Sequence, residues 1–461
     1  MNLHKNNFIS ILDSVRVSDD PGDLLNFGRD WTRIHTPDPA LILFPKTTEE
    51  VQKITAYCYD QGITIVPSGG RTGLAAAAVA ANKEVVVSFD KMNRIKNIDV
   101  ESGSIDVEAG AVLENVQKAV AEAGMYFPLD FAARGSCQIG GCISTNAGGL
   151  KVIKYGMTRE LVLGLEAVTP TGKILHLNSN LHKNNSGYDL KQFFIGTEGT
   201  LGLITKATLK IVPKPKDLQL ALLAVDRFAT ILEILKQAKL RSLDITAFEF
   251  FTDKCMEVVL THNTNVRNPL SSKYPFYVLI EIDGGHDKDA IQTFVGSIEP
   301  LITDGTLAMD QKTFKELWSY RENISETLFK VGQLHKNDIA VPISSMPSFI
   351  TDLEKLIQEK YSAFEIFLFG HIGDGNIHVN VIDRNKMPIH DFKQITDALD
   401  MEMAGLIKKY DGSISAEHGI GLLKKKLLYL YRNPEEIQMM KYIKSILDPK
   451  NICNPGKIID L

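Results

Sequence analysis

Ile63-Thr64-Ile65-Val66-Pro67-Ser68-Gly69-Gly70-Arg71-Thr72-Gly73-Leu74 runs from a β-branched strand into a glycine-rich turn. Successive backbone N–H groups in such a turn form a concave anion site. The guanidinium of Arg71 and the hydroxyls of Ser68 and Thr72 add donors suited to phosphate. The spacing is neither the G-x-G-x-x-G of a Rossmann turn nor the Gly-Lys-Ser/Thr of a P-loop. Taken alone, the stretch reads equally well as a tight turn.

Helical periodicity precedes it at Thr48 to Gln61. Strand-like runs follow at Glu84–Phe89, Ser104–Glu108, Leu163–Thr169 and Leu201–Ile211. This mixture predicts an α+β fold. Glycine is dense between Gly69 and Gly202, which marks places of close backbone approach or positive φ. Ile139-Gly140-Gly141-Cys142-Ile143-Ser144-Thr145-Asn146-Ala147-Gly148-Gly149 is a second such segment. Lys154-Tyr155-Gly156, Asn185–Leu190 and Phe194-Ile195-Gly196-Thr197-Glu198-Gly199-Thr200-Leu201-Gly202 come after it.

Pro213-Lys214-Pro215-Lys216 stops both helix and sheet and reads as a linker. Beyond it the pattern restarts. Strands are expected at Leu218–Val225, Pro275–Ile282 and Leu334–Pro342. Helices are expected at Phe228–Leu240, Asp289–Ile302, Thr313–Lys330 and Asp391–Lys409, with more towards the C-terminus.

The second half holds Gly370-His371-Ile372-Gly373-Asp374-Gly375-Asn376-Ile377-His378-Val379-Asn380. Asp-Gly between apolar runs predicts a two-residue type I′ hairpin turn. His371 would then face His378 directly across the strands, about 5 Å between Cβ atoms, with Asn380 on the same face. Two imidazoles at that distance suit one metal ion. Glu417, in Ser415-Ala416-Glu417-His418-Gly419-Ile420-Gly421, is the third candidate ligand. Two histidines and a carboxylate suit zinc, and also manganese or iron. His418 adjoins Glu417 and cannot readily bind the same ion in the same way. In the helix around Leu317–Ser325, Arg321 and Ser325 are i, i+4 neighbours and would hold a carboxylate; Lys336 adds a second cation.

Composition narrows the class. The 461 residues predict two to four domains, and 44% apolar with 23% charged residues is ordinary for a globular protein. A net charge of −5 gives no sign of nucleic-acid binding. No apolar run reaches the ~20 residues needed to span a bilayer. Met1 to Asp20 has no h-region, so no signal peptide is expected. Cys58, Cys137, Cys142, Cys255 and Cys453 form no C-x-x-C pair and read as reduced thiols of a cytoplasmic protein. Cys137 and Cys142 read as packing residues.

Together these motifs resemble the FAD-binding oxidoreductases of the vanillyl-alcohol-oxidase type. The second half resembles their D-2-hydroxyacid dehydrogenase branch, with its G-H-x-G-D-G-N-x-H hairpin, E-H-G-x-G loop and C-terminal Asn454-Pro455-Gly456-Lys457. The resemblance spans roughly residues 35 to 459. It departs at Leu74-Ala75-Ala76-Ala77-Ala78, where the family usually has Gly-Gly and a hydroxyl residue. It implies a short extension over 1–34, an FAD-binding domain over 35–216 and a substrate and metal-binding cap with an antiparallel sheet over 217–420. A C-terminal helical segment over 421–461 would return to the FAD domain.

The FAD would be held by Pro67, Ser68, Gly69, Gly70, Arg71, Thr72, Gly73 and Leu74, then Ser136, Gly140, Gly141, Ser144, Thr145, Asn146, Gly148, Gly149, Tyr155 and Gly156. Glu198, Gly199, Gly202, Ile204 and Asn454 complete that set. His371, His378 and Glu417 would bind the divalent metal. His418 would be the base, with Arg321, Ser325, Lys336, Asn380 and His418 contacting substrate. The spacing of Arg321, Ser325 and Lys336 resembles the D-2-hydroxyglutarate dehydrogenases, where the middle residue is commonly Thr. The implied reaction oxidises a D-2-hydroxy acid, D-2-hydroxyglutarate above D-lactate or glycolate, with hydride passing to flavin N5. An ether-lipid-type transferase using FAD without net redox change is the remote alternative, and a flavin-binding subunit without activity is another. Implied partners are the small acid, an electron acceptor such as a quinone or electron-transfer flavoprotein, and a second copy in a homodimer. Nucleic acid and a transmembrane segment are not expected; peripheral membrane association is compatible.

Overall fold

The computed structural model describes residues 2–263 and 267–461. The chain forms two compact units. The first contains residues up to Gly148, Tyr155–Lys214 and Glu417–Leu461; the second contains Gly149–Lys154 and Pro215–Ala416. Glu417–Ile420 thus belong with the first unit.

In the first unit, helix Thr48–Gln61 starts where Thr47 accepts the Glu50 N–H, and Glu49 and Glu50 favour its N-terminus. It ends at Gly62, whose φ of 67° turns the chain into strand Ile65–Ser68. That strand lies at one side of a four-stranded sheet ordered Val17–Ser18, Leu41–Leu43, Val85–Ser88, Ile65–Ser68, the last three parallel. Beyond it the C-terminal segment adds on, through Ile65 N–H to Ile452 O (2.7 Å) and Asn454 N–H to Ile65 O (2.7 Å). A five-stranded antiparallel sheet runs Ile95–Asp99, Ser104–Glu108, Leu203–Lys210, Val162–Val168, Ile174–Leu177. One core joins both sheets and includes Phe8, Ile54, Ile65, Val87, Ile105, Leu165 and Ile452. Cys58, Cys137, Cys142 and Cys453 are also buried in it. All five cysteines of the chain are free.

The second unit is built on a seven-stranded antiparallel sheet. Its order is Asp304–Leu307, Leu218–Val225, Phe276–Asp283, Ile245–Thr252, Glu365–Gly370, Asn376–Asp383, Gln333–Ala340. The central strands are buried on both faces, as runs such as Ala247-Phe248-Glu249-Phe250-Phe251 require. The core on one face gathers Phe251, Tyr277, Leu279, Trp318, Tyr320, Leu328, Phe367 and Phe369.

Three expectations need correction. The helix read over Thr313–Lys330 is two helices, Gln311–Glu322 and Ile324–Val331. They part at Asn323, a poor interior residue that ends one helix and starts the next. The helix read over Asp289–Ile302 is Ala290–Ser297, followed by a 3-10 turn at Glu299–Leu301 around Pro300. The third correction is the hairpin. His378 pairs with Phe369, not His371, and residues 371–375 form a five-residue loop. Gly373 donates its N–H to Phe248 O (3.2 Å), and a Cβ there would meet Ile153 at 2.4 Å. Contacts distant in sequence therefore set the loop and override the local Asp-Gly signal.

Candidate active site

In the second unit a polar row crosses one face of the sheet. His378 and Asn380 are two apart on strand Asn376–Asp383, so they share a face. Their partners on one side are Asp338 and Lys336, and on the other Phe369 and Phe367. Phe251 pairs with Phe369, so two residues further along Glu249 comes opposite His371. Despite the slipped register, the imidazoles of His371 and His378 are neighbours, with centroids 5.2 Å apart and planes at 85°.

Each imidazole has a carboxylate at Nδ1. Glu249 Oε1 is 2.7 Å from that of His371, and Asp338 Oδ1 is 3.5 Å from that of His378. A carboxylate on Nδ1 leaves Nε2 as the nitrogen available to a metal. Burial holds the His378 pKa down at about 4, against the pull of Asp338, so this imidazole is neutral at neutral pH, as a metal ligand must be. The donor set fits zinc. Burial raises the Glu249 carboxyl, but the charges of His371 and Arg321 outweigh it and hold that group below its ordinary range.

Arg321 donates from Nε to Glu249 Oε2 at 2.8 Å and lies over the Phe369 ring at 4.7 Å. Among the described residues its Nη2 is buried without a hydrogen-bond partner, as is Nδ2 of Asn380. Lys336 Nζ stands 4.2 Å over the Phe329 ring and 3.4 Å from Ser325 Oγ. Burial lowers its pKa to about 8. Arg321 and Ser325 sit on separate helices, so they do not present the single helical face expected. The hydroxyl serves Lys336 while Arg321 is held by Glu249. Sequence reading missed Glu249 and Asp338. The available signal was a carboxylate set between aromatics in Phe248-Glu249-Phe250, because a buried charge needs a partner.

In the first unit the glycine segments abut. A Cβ on Gly70 would lie 2.2 Å from Ser136 O, on Gly140 2.8 Å from Ala109, and on Gly199 2.4 Å from Pro67. Around Gly141 a Cβ would meet nothing within 4 Å. Ser68 Oγ donates to Phe27 O, and Arg71 turns back onto Asp90 and the Phe27 ring. The Ser68 hydroxyl and the Arg71 guanidinium are thus engaged within the protein. Thr145 Oγ1 returns to Gly141 O, and Asn146 Oδ1 accepts the Arg159 N–H. Ser144 O accepts the Glu198 N–H. Asn454 donates from Nδ2 to Ala77 O and Glu198 O. Ile204 is a core residue of strand Leu203–Lys210, Tyr155 meets Tyr126 edge-on, and Gly156 and Gly202 have positive φ. Gly149 opens the short segment of the second unit. The open position at Gly141, with Gln138 Oε1 and Asn454 Oδ1 buried and unpaired among the described residues, fits a cradle for a dinucleotide.

Glu417 and His418 also lie in the first unit. Glu417 rests against Gly148, where a Cβ would be 2.6 Å from Oε1. The carboxylate of Glu198 accepts the N–H groups of Ile420 (2.6 Å) and Gly421 (2.8 Å). Gly419, at φ 80°, lets the loop curl tightly over it. Burial pushes the Glu198 pKa up to about 7, even with those bonds lowering it. The Glu198 side chain ties down the loop bearing Glu417 and His418.

Residues 39–178 match the FAD binding domain family, and residues 214–458 match the C-terminal domain of FAD linked oxidases. The chain belongs to the FAD-linked oxidase family. It is a flavoprotein oxidoreductase of that family. A D-2-hydroxyglutarate dehydrogenase of Xanthomonas citri pv. viticola is 42% identical, covering 97% of this chain and 95% of that one. The mitochondrial D-2-hydroxyglutarate dehydrogenase of Arabidopsis thaliana is 38% identical, covering 98% and 80%. Among solved structures, substrate-bound p-cresol methylhydroxylase matches with a TM-score of 0.79 at 17% identity, covering 100% of this chain and 97% of that one. This FAD-linked oxidase therefore has the vanillyl-alcohol-oxidase-type fold. Among the described residues, no helix is long and apolar enough to cross a membrane.

Proposed function

We propose that this FAD-linked oxidase is a metal-dependent dehydrogenase that oxidises D-2-hydroxyglutarate to the 2-oxo acid. One observation carries the reading. Two imidazoles each with a carboxylate at Nδ1, an arginine whose Nη2 has no hydrogen-bond partner among the described residues, and a lysine lie along one sheet face. That set suits an acid with two carboxylates and a hydroxyl, and the names of the relatives agree with it.

His371, His378 and Glu417 would hold the metal. Ala416, the residue before Glu417, donates its N–H to Asp338 O (3.3 Å), and Asp338 is the strand partner of His378. When bound, the metal would acidify a coordinated hydroxyl and FAD would accept hydride at N5. Arg321 would take one carboxylate by charge-assisted hydrogen bonds from its Nη atoms. Lys336, steadied by Ser325, would take the second, and Asn380 Nδ2 is a further donor to the acid. An imidazole nitrogen of His418 would take the hydroxyl proton. Holding the acid in this way supplies orientation. A quinone or an electron-transfer flavoprotein would carry the electrons onward. A cytoplasmic homodimer, with or without a peripheral membrane contact, is the setting proposed.

The test is anaerobic mixing of the yellow holoenzyme with D- and L-2-hydroxyglutarate, D-lactate and glycolate. Bleaching of the visible flavin band by D-2-hydroxyglutarate, faster than by the others, is expected. Faster bleaching by D-lactate or glycolate reassigns the substrate, and bleaching by the L-isomer alone overturns the stereochemistry. No bleaching by any acid favours the transferase or the inactive subunit.

A further inference from the structure

We propose that Glu249 is a positioning residue that joins metal binding to acid binding. One of its oxygens would orient the metal ligand His371, and the other the carboxylate-binding Arg321. This rests on the function proposed above and adds a residue to it.

Glu249 is fully buried on strand Ile245–Thr252, with both carboxylate oxygens engaged. Oε1 meets His371 Nδ1 at 2.7 Å, and Oε2 accepts from Arg321 Nε at 2.8 Å. Each contact fixes what the partner has left to offer. An imidazole that donates from Nδ1 presents Nε2 as its lone-pair nitrogen. A guanidinium bound at Nε and laid on the Phe369 ring keeps its terminal edge for a ligand, and Nη2 is indeed buried and unpaired. The three side chains come from places far apart in sequence. Residue 249 lies in an inner strand, 321 at the end of a helix and 371 in a loop. A carboxylate needed only to neutralise a buried arginine would not have to place its second oxygen on the imidazole. Moving the carboxylate disturbs both sites at once, which a residue serving either site alone would not do.

The test uses the FAD- and zinc-loaded full chain, with zinc as the metal probe and D-2-hydroxyglutarate as substrate. Glu249→Gln leaves one acceptor oxygen for two donors. It is expected to lose zinc to a chelator about 10- to 100-fold more readily and to raise KM about tenfold or more, with flavin content and flavin spectrum unchanged. Arg321→Lys keeps the charge but removes the Nε donor. It is expected to speed zinc loss as well, although Arg321 would touch no metal, and it decides the matter if Glu249→Gln is not recovered with flavin. Zinc retention and KM at wild-type values overturn the proposal. So does a change in only one of the two, because the proposal is that they are joined. His371→Ala separates the levels. If it loses zinc while the other two variants do not, the metal site stands and the role of Glu249 falls. If His371→Ala keeps zinc as the wild type does, the metal site falls and the proposal with it.

Discussion

The glycine cradle of the first unit and the polar sheet face of the second, the two recognition sites proposed, are built by opposite means. The cradle is made of backbone. Its residues cluster in a few short segments, and several glycines are there because another main chain occupies the space a Cβ would need. The sheet face is made of side chains. Glu249, Arg321, Lys336, Asp338, His371, His378 and Asn380 come from five separate elements or loops, brought together by strand register. Substitutions in the cradle should therefore act through sterics and show as lost fold or lost flavin. Substitutions on the sheet face should act through charge and show as altered acid or metal binding in a folded, yellow protein.

The sharpest way to break this contrast is Gly70→Ala. The new methyl would lie 2.2 Å from Ser136 O and 2.8 Å from Cys137 Cα, both backbone, so no side-chain rotation relieves it. A loss on the order of 3 kcal/mol or more is expected, read as a fall in Tm and in bound flavin. Gly141→Ala is its counterpart, since nothing lies within 4 Å. It should keep the Tm of the flavin-free protein and lose flavin affinity. Equal behaviour of the two variants would end the steric account.

Lys336→Ala probes the other region. Losing a hydrogen bond to a charged group costs about 1.5–3 kcal/mol, so KM for the dicarboxylate should rise about 10- to 100-fold while KM for D-lactate barely moves. Equal losses for both acids would refute the second-carboxylate role. The pH profile follows from the lysine pKa of about 8. Below that value Lys336 is charged and binds the carboxylate, so KM for the dicarboxylate should climb as pH rises through about 8. Lys336→Arg should push that climb to higher pH. Stability carries the opposite sign. The unfolded chain holds this proton up to about 10.4, so this group's contribution to stability should rise with pH between the two values.

The mildest change is Ser325→Thr. The hydroxyl facing Lys336 is kept and one methyl is added at a half-buried site, so KM should stay within about threefold. A larger effect would mean that the hydroxyl's position, set by the second of the two helices, is more exacting than its chemistry.

The contrast also explains what could be read from sequence. Helices Thr48–Gln61 and Phe228–Leu240 and strands Ser104–Glu108 and Leu218–Val225 occur at the expected residues, because their periodicity and end signals are local. The hairpin register was not local. Gly373 answers to Phe248 and Ile153, which no Asp-Gly rule includes. The two histidines remained neighbours because the slip was two residues; a slip of one would have sent His378 to the other face. Glu249 stayed hidden because its importance lies in register with His371, 122 positions away. The break at Asn323 was hidden too, since a helical stripe continues across it.

The late arrival of residues 452–454 beside strand Ile65–Ser68 has a consequence for synthesis. Pro215–Ala416 is one uninterrupted stretch, and its other piece, 149–154, has already been made by then. The second unit therefore has all its parts while translation continues. The strand feeding the glycine turn must wait, its outer edge unpaired, until residues 452–454 have been made. Flavin capture by this protein should accordingly follow the synthesis of residues 452–454.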